Sequence, residues 1–325
     1  MAKGQGKNEP RQPAAPLAPE ERTVTIDGVE LRLALPDDMP VMAVGNETVK
    51  NQLRACWIIP PGKGRREPPL APRVLGPPGV GKTTLAFSVA REFTPEVFIF
   101  QCTSDTRPED LLITPVIGSG QTIRYHASSL TTAMLRGGVC ILDEGNRMPE
   151  KSWASLAPLL DNRRYVESII AGIKIHAHPE FRVAVTMNED ASTYEIPEYI
   201  LSRLQPQVRV GFPSVEEEKE ILKVNLPYED EQLIDLVAGY LGRCHKYELP
   251  VASRDGIHII RYAQRLVDQL KLSAAEAVTQ AANQIVGEED ALFLDPTYEP
   301  PEEPGISFAD AEFLLSRFKP SGKEN

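Results

Sequence analysis

Gly76-Pro77-Pro78-Gly79-Val80-Gly81-Lys82-Thr83-Thr84 decides the reading of this chain. It fits G-x-x-x-x-G-K-[ST], the pattern of a loop that cradles phosphate. Gly76, Gly79 and Gly81 let the backbone curl so that its N–H groups point inward at an anion. Lys82 adds a mobile positive charge, and Thr83 offers a hydroxyl to Mg²⁺. The apolar spacing of Leu85, Val89, Ala90 and Phe93 predicts a helix starting near Lys82. The positive end of that helix dipole faces the same anion.

A second stretch about 60 residues downstream, Val139-Cys140-Ile141-Leu142-Asp143-Glu144, reads as an apolar strand ending in two carboxylates. Strand tips are where a parallel sheet presents chemistry to a ligand. Asp143 is expected to hold the Mg²⁺ water shell beside Thr83, and Glu144 to orient and deprotonate an attacking water. Further strands are expected at 73–75, trimmed by Pro72, at 97–102, at 181–188 with the amide of Asn188 at its tip, and at 207–211. Between them, helical spacing marks Val49, Leu53, Cys56 and Trp57, then 104–111, 128–136 with Gly137 as its stop, and Trp153 to Leu160. Such alternation means an α/β fold with a parallel sheet.

Three hairpins interrupt it: 24–33 around Asp27-Gly28, 114–125 around Gly118–Gly120 as an insert in a helix, and 165–176 around Ala171-Gly172. From Pro213 the strands cease, and helical patterns cover 216–223, 229–241, 254–270 and 273–286. The expected organisation is a disordered Pro-rich tail (1–22), an α/β nucleotide-binding domain (23–212), a small all-α lid (213–286), and an acidic Pro-rich loop with a short last helix at 308–318 (287–325).

The 325 residues allow one large or two modest domains. A net charge of −11 argues against a broad nucleic-acid-binding surface. Cys56, Cys102, Cys140 and Cys244 lie far apart without a C-x-x-C pair, as expected of reduced structural thiols in a cytoplasmic protein. No apolar run has membrane-spanning length. His176 and His178 share a strand face but have no third ligand nearby, so they read as ordinary strand residues.

The ordered set of motifs resembles the AAA+ ATPases, and among them the MoxR-like group with its CbbQ/NorQ and GvpN-type members, a dynein-related AAA domain. The resemblance runs from about Val41 to about Leu270. Residues 76–83 are similar to Walker A, Ile141 to Glu144 to Walker B, and Asp143-Glu144-Gly145-Asn146-Arg147 to the D-E-[IA]-N-R signature, with Gly145 in the apolar slot. Asn188 then matches sensor 1, which helps place the hydrolytic water. Ser202-Arg203-Leu204 stands where the group carries an arginine finger, with Leu204 for the usual Phe. Ser253-Arg254 looks like sensor 2, a cis arginine, and Val44-Gly45 like the loop lining the adenine pocket. The hairpins at 114–125 and 165–176 match the helix-2 insert and the pre-sensor-1 hairpin.

The resemblance implies Mg²⁺-dependent ATP hydrolysis. Phosphate is bound along Gly76, Pro77, Pro78, Gly79, Val80, Gly81, Lys82, Thr83 and Thr84, and Arg203 acts in trans within a homo-oligomer, most simply a hexameric ring. It further implies chaperone-like remodelling of a client or adaptor protein, one carrying a von Willebrand factor A domain in many relatives. Two other readings stay open: a nucleic-acid motor or restriction-type subunit, for which the Lys63/Arg65/Arg66 loop speaks, and a nucleotide-gated scaffold with little hydrolysis. The motifs do not distinguish ATP from GTP.

Overall fold

The computed structural model describes residues 22–40, 43–59, 67–118, 122–189, 195–227 and 230–300. The tail, residues Lys63, Arg65 and Arg66, residues 119–121 of the hairpin turn expected around Gly118–Gly120, and the helix expected at 308–318 lie outside them. The chain begins with β1 (Thr23–Ile26), β2 (Val29–Arg32), α1 (Glu47–Trp57), β3 (Arg73–Gly76), α2 (Lys82–Phe93) and β4 (Val97–Gln101). Next come α3 (Pro108–Leu111), β5 (Ile113–Ile117), β6 (Ile123–Ala127), α4 (Ser129–Arg136) and β7 (Val139–Asp143). A 3-10 turn at Gly145–Arg147 leads to α5 (Glu150–Leu156), β8 (Tyr165–Ser168), β9 (Ile173–His176), β10 (Arg182–Asn188), α6 (Glu198–Leu201) and β11 (Gln207–Arg209). The rest is helical: α7 (Val215–Asn225), α8 (Glu231–Lys246), α9 (Ser253–Leu270), α10 (Ala274–Ile285) and α11 (Glu288–Ala291).

Five strands form a parallel sheet in the order β11-β3-β10-β7-β4. Its middle strands are apolar on both faces, as a doubly covered sheet requires. Side chains alternate between the faces. Val183, Val185, Cys140 and Leu142 pack with Leu130, Met134, Trp153 and Phe181 on one side. Ala184, Val139 and Ile141 pack with Leu53, Trp57, Leu85 and Val89 of α1 and α2 on the other. The register brings the carboxyl ends level: Asn188 pairs with Gly76, and Gln101 with Asp143. Four chain reversals therefore deliver polar side chains to one edge.

The first two hairpins form one sheet, a result not foreseen from their separate patterns. β2 pairs in parallel with β6, Leu31 opposite Tyr125, in the order β1-β2-β6-β5. The acidic stretch after residue 286, expected as a loop, is corrected at its start. α11 and a 3-10 turn at Leu292–Leu294 pack onto the C-terminal helices through Ala291 and Phe293. Phe293 meets Tyr247 and Tyr298, and Arg243 donates to the Phe293 and Leu294 carbonyls at 2.6 and 2.9 Å. Two apolar anchors suffice to hold a segment whose composition is otherwise that of a loop.

All four cysteines are buried thiols. Burial pushes Cys56 and Cys244 up to about 11. Among the described residues no helix is long and apolar enough to cross a membrane.

Helix α7 opens with a capping box, Ser214 and Glu217 each satisfying the other's backbone N–H. One residue on, Glu218 is fully buried. One carboxyl oxygen accepts from Ser253 Oγ at 2.8 Å, and the other has no partner. His245, 3.9 Å away, spends its Nε2 on the Val251 carbonyl, and burial pushes its pKa below the usual histidine range. Desolvation raises Glu218 from 4.5 to about 7. Between those values the unfolded chain gives up its proton first, so stability falls as pH rises from about 4.5 to about 7 and then levels. Glu218→Gln removes this term. It is expected to raise unfolding free energy by about 2–3 kcal/mol at pH 8 and to change little near pH 4.5. Urea denaturation of both proteins across that range checks it.

Candidate functional site

Two adjoining cavities open at the carboxyl edge of the five-stranded sheet. The smaller, about 90 Å³, is lined by Pro78, Gly79, Gly81, Lys82, Thr83, Thr84, Asp143, Glu144, Thr186, Asn188 and Arg254. The larger, about 330 Å³, shares Gly79, Gly81, Thr84 and Arg254 with it and continues between Met39, Pro40, Ala43, Val44 and Asn46 on one side and helices α7 and α9 on the other.

Lys82 opens α2, and its Nζ donates to the Gly76 and Pro77 carbonyls at 2.9 and 2.7 Å. Gly76 and Pro77 line neither cavity; they hold the lysine instead. Burial lowers the Lys82 ammonium to about 8, against the pull of Asp143 and Glu144 and with a push from Arg254. A bound polyphosphate restores the proton. Nucleotide affinity is therefore expected to be level below about pH 8 and to weaken above it, by up to tenfold per pH unit. Equilibrium titrations from about pH 7 to about pH 9.5 measure this, and an unchanged affinity across that range would mean that the free protein's Lys82 keeps the ordinary lysine range.

Gly79 sits at φ +79°, and a Cβ there would stand 2.8 Å from the Cβ of Ala252, just ahead of α9. This close approach places Arg254 over the loop.

Thr83 and Thr186 both donate hydroxyl protons to Asp143 Oδ1, each at 2.5 Å. Thr186 Oγ1 also accepts from the Glu144 amide at 3.0 Å. Glu144 leaves the strand at φ +54°. Its carboxylate accepts from Asn188 Nδ2 at 3.1 Å and Gln101 Nε2 at 3.2 Å, and pairs with Arg147 Nε at 3.0 Å. Asn146 in turn donates to the Asn188 carbonyl at 2.7 Å. Gly145 has a plain reason to be glycine: a Cβ would lie 2.3 Å from Val185 Cγ1 and 3.2 Å from the Trp153 ring.

Val44 and Val80 line the larger cavity. Gly45 does not; its backbone lies against Glu217, whose carboxylate accepts from the Asn46 and Ser214 amides at 3.0 and 3.1 Å. Arg203 lies outside both cavities. Its Nη1 donates to the Tyr199 carbonyl, and its Nε stands 3.5 Å from Asp161. Asp161 is held down at about 2 by Arg163 first, with Arg203 adding to the effect.

Sequence reasoning missed Thr186 and Gln101 around the acid pair, quoted Arg147 in its signature without giving it a role, and missed Ile221, Asn225 and Ile257 in the larger cavity. Thr186 and Gln101 carried a signal, being polar residues in apolar strands. The helical residues carried none, because only the fold brings them over the loop.

The oxygen donors converging at Asp143 fit Mg²⁺, which takes one or two carboxylates and leaves its remaining positions to phosphate and water. Among the described residues no cluster of three His, Cys, Asp or Glu side chains forms a protein-only metal cage.

Fold and site together define a P-loop protein of AAA+ architecture, with a parallel sheet and a helical C-terminal region. Residues 74–204 match the AAA domain of the dynein-related subfamily, and over that region the chain is similar to MoxR-like AAA+ proteins. It is 30% identical over 154 residues to the denitrification regulatory protein NirQ of Pseudomonas aeruginosa, covering 45% of this chain and 56% of that one. It is 29% identical over 149 residues to the chaperone MoxR1 of Mycobacterium tuberculosis, covering 45% and 38%. The chain spans about half the length of the first curated relatives it matches. The Holliday junction branch migration motor RuvB of Thermotoga maritima has a similar fold, with TM-score 0.51 and 17% identity over 76% of this chain and 72% of that one. Members of the AAA+ class are typically ATPases.

Proposed function

We propose that this chain hydrolyses ATP with Mg²⁺ and works as a ring-forming remodeller of a partner protein. The observation that carries the reading is the convergence of Lys82, Thr83, Asp143, Glu144, Asn188 and Arg254 on one small cavity. Lys82 and the loop amides from Gly79 to Thr84 bind the β- and γ-phosphates. Thr83 and Asp143 hold Mg²⁺, which when bound neutralises phosphate charge. Glu144 accepts a proton from the attacking water, and Asn188, already bonded to that carboxylate, positions it. Arg254 reaches the phosphates in cis. In-line transfer asks for positioning and charge compensation, which these groups supply.

Arg203 completes the site of a neighbouring subunit, a hexameric ring being the simplest closed arrangement. Its position outside its own chain's cavities supports this. The likeness to a protein named a chaperone supports chaperone-like action on a client, and an adaptor with a von Willebrand factor A domain is the partner that the MoxR-like resemblance implies. Turnover per subunit, measured against protein concentration, is expected to rise steeply and then plateau as rings form. Zero turnover at every concentration, with and without cell extract as a source of client, would overturn the hydrolase reading.

A further inference from the structure

The larger cavity has two ends. Gly79, Gly81, Thr84 and Arg254, shared with the smaller cavity, mark its phosphate end. The far end is walled by Met39, Pro40, Ala43, Val44, Ile221 and Ile257, an apolar slot suited to a flat ring. Two polar side chains interrupt that wall, Asn46 and Asn225. They differ in one respect. Asn46 opens α1 without a side-chain capping bond, so its amide is not fixed. Asn225 is fixed: its Nδ2 lies 2.8 Å from the Ile221 carbonyl oxygen, one turn back along α7.

A carbonyl only accepts, so the amide end facing it must be nitrogen. The other end, Oδ1, is then a committed acceptor at a position lining the base end of the cavity, with no hydrogen bond among the described residues. Adenine and guanine differ at the 6-position, where one offers an amino donor and the other a carbonyl acceptor. An oriented acceptor pairs with the first and opposes the second, leaving two desolvated oxygens face to face.

We infer that Asn225, held by the Ile221 carbonyl, reads the 6-position of the base and selects adenine over guanine nucleotides. The inference rests on the nucleotide-site reading above and names the residue that sets its base preference. Asn225 stands on the helical region while the phosphates rest on the sheet edge, so base choice is made by the segment that closes over the ligand.

The test is equilibrium binding of ATP, GTP and purine riboside triphosphate, which lacks the 6-amino group. The proteins are wild type, Asn225→Leu, Asn46→Ala and Lys82→Ala. Wild type is expected to favour ATP over both analogues by on the order of tenfold to a hundredfold. Asn225→Leu should bring the three affinities to within about threefold of one another, while Asn46→Ala keeps the wild-type ratios. Unchanged ratios in Asn225→Leu, or ratios that collapse in Asn46→Ala instead, would overturn the assignment. Equal wild-type affinities, abolished by Lys82→Ala, would overturn it while leaving the phosphate site standing. Wild type that binds none of the three would overturn the site reading and this inference with it.

Discussion

Glu144→Gln is expected to cut ATP turnover by on the order of a hundredfold or more while ATP still binds with near wild-type affinity. The glutamine has the same shape and keeps one oxygen, so the strand tip and the phosphate loop retain their packing. It loses the second acceptor. Two donors, on Asn188 and Gln101, now converge on the Glu144 carboxylate beside the Arg147 guanidinium, and an amide nitrogen cannot satisfy a donor that faces it. It also has no lone pair basic enough to take a proton from water. Phosphate affinity rests on other atoms, Lys82 Nζ and the loop amides, which the substitution leaves in place. Steady-state hydrolysis beside an equilibrium nucleotide titration separates the two effects. A variant that turns over like wild type would remove Glu144 from the chemistry.

The same residues show how far the chain could be read in advance. Phosphate loop, acid pair and Asn188 lie at the ends of three strands, and strand tips are local features, visible as apolar runs closed by polar residues. What escaped was cross-strand or cross-segment. Thr186 matters because β10 lies beside β7, which puts its hydroxyl between Asp143 and the Glu144 amide. Gln101 matters because its register partner is Asp143. The pairing of β2 with β6 joins segments about 90 residues apart, and no period within either one announces it. Gly145 read as a departure from its family signature; the reason is non-local, the approach of Val185 and Trp153 from other elements. The helical wall of the larger cavity was hidden likewise, because Ile221, Asn225 and Ile257 look like ordinary amphipathic-helix residues until α7 and α9 are set over the loop.

Arg203→Ala is expected to lower turnover by on the order of a thousandfold, again with ATP affinity retained. In its own subunit the guanidinium rests against Asp161 and the Tyr199 carbonyl, partly buried. An ion pair of this exposure contributes no more than about 1 kcal/mol, so it holds the arginine loosely and can yield it to a triphosphate on an adjoining subunit. Asp161 keeps Arg163 as an ionic partner when that happens. Subunit mixing gives the decisive comparison. Arg203→Ala subunits keep their own Glu144, and Glu144→Gln subunits keep Arg203. If the arginine serves a neighbour, mixing two inactive preparations restores hydrolysis wherever an Arg203→Ala subunit receives the arginine of a Glu144→Gln neighbour. If it serves its own site, every mixed ring stays inactive, because each subunit lacks one of the two groups. Recovered turnover that depends on mixing ratio would therefore establish the shared site, and a mixture as silent as its parts would refute it.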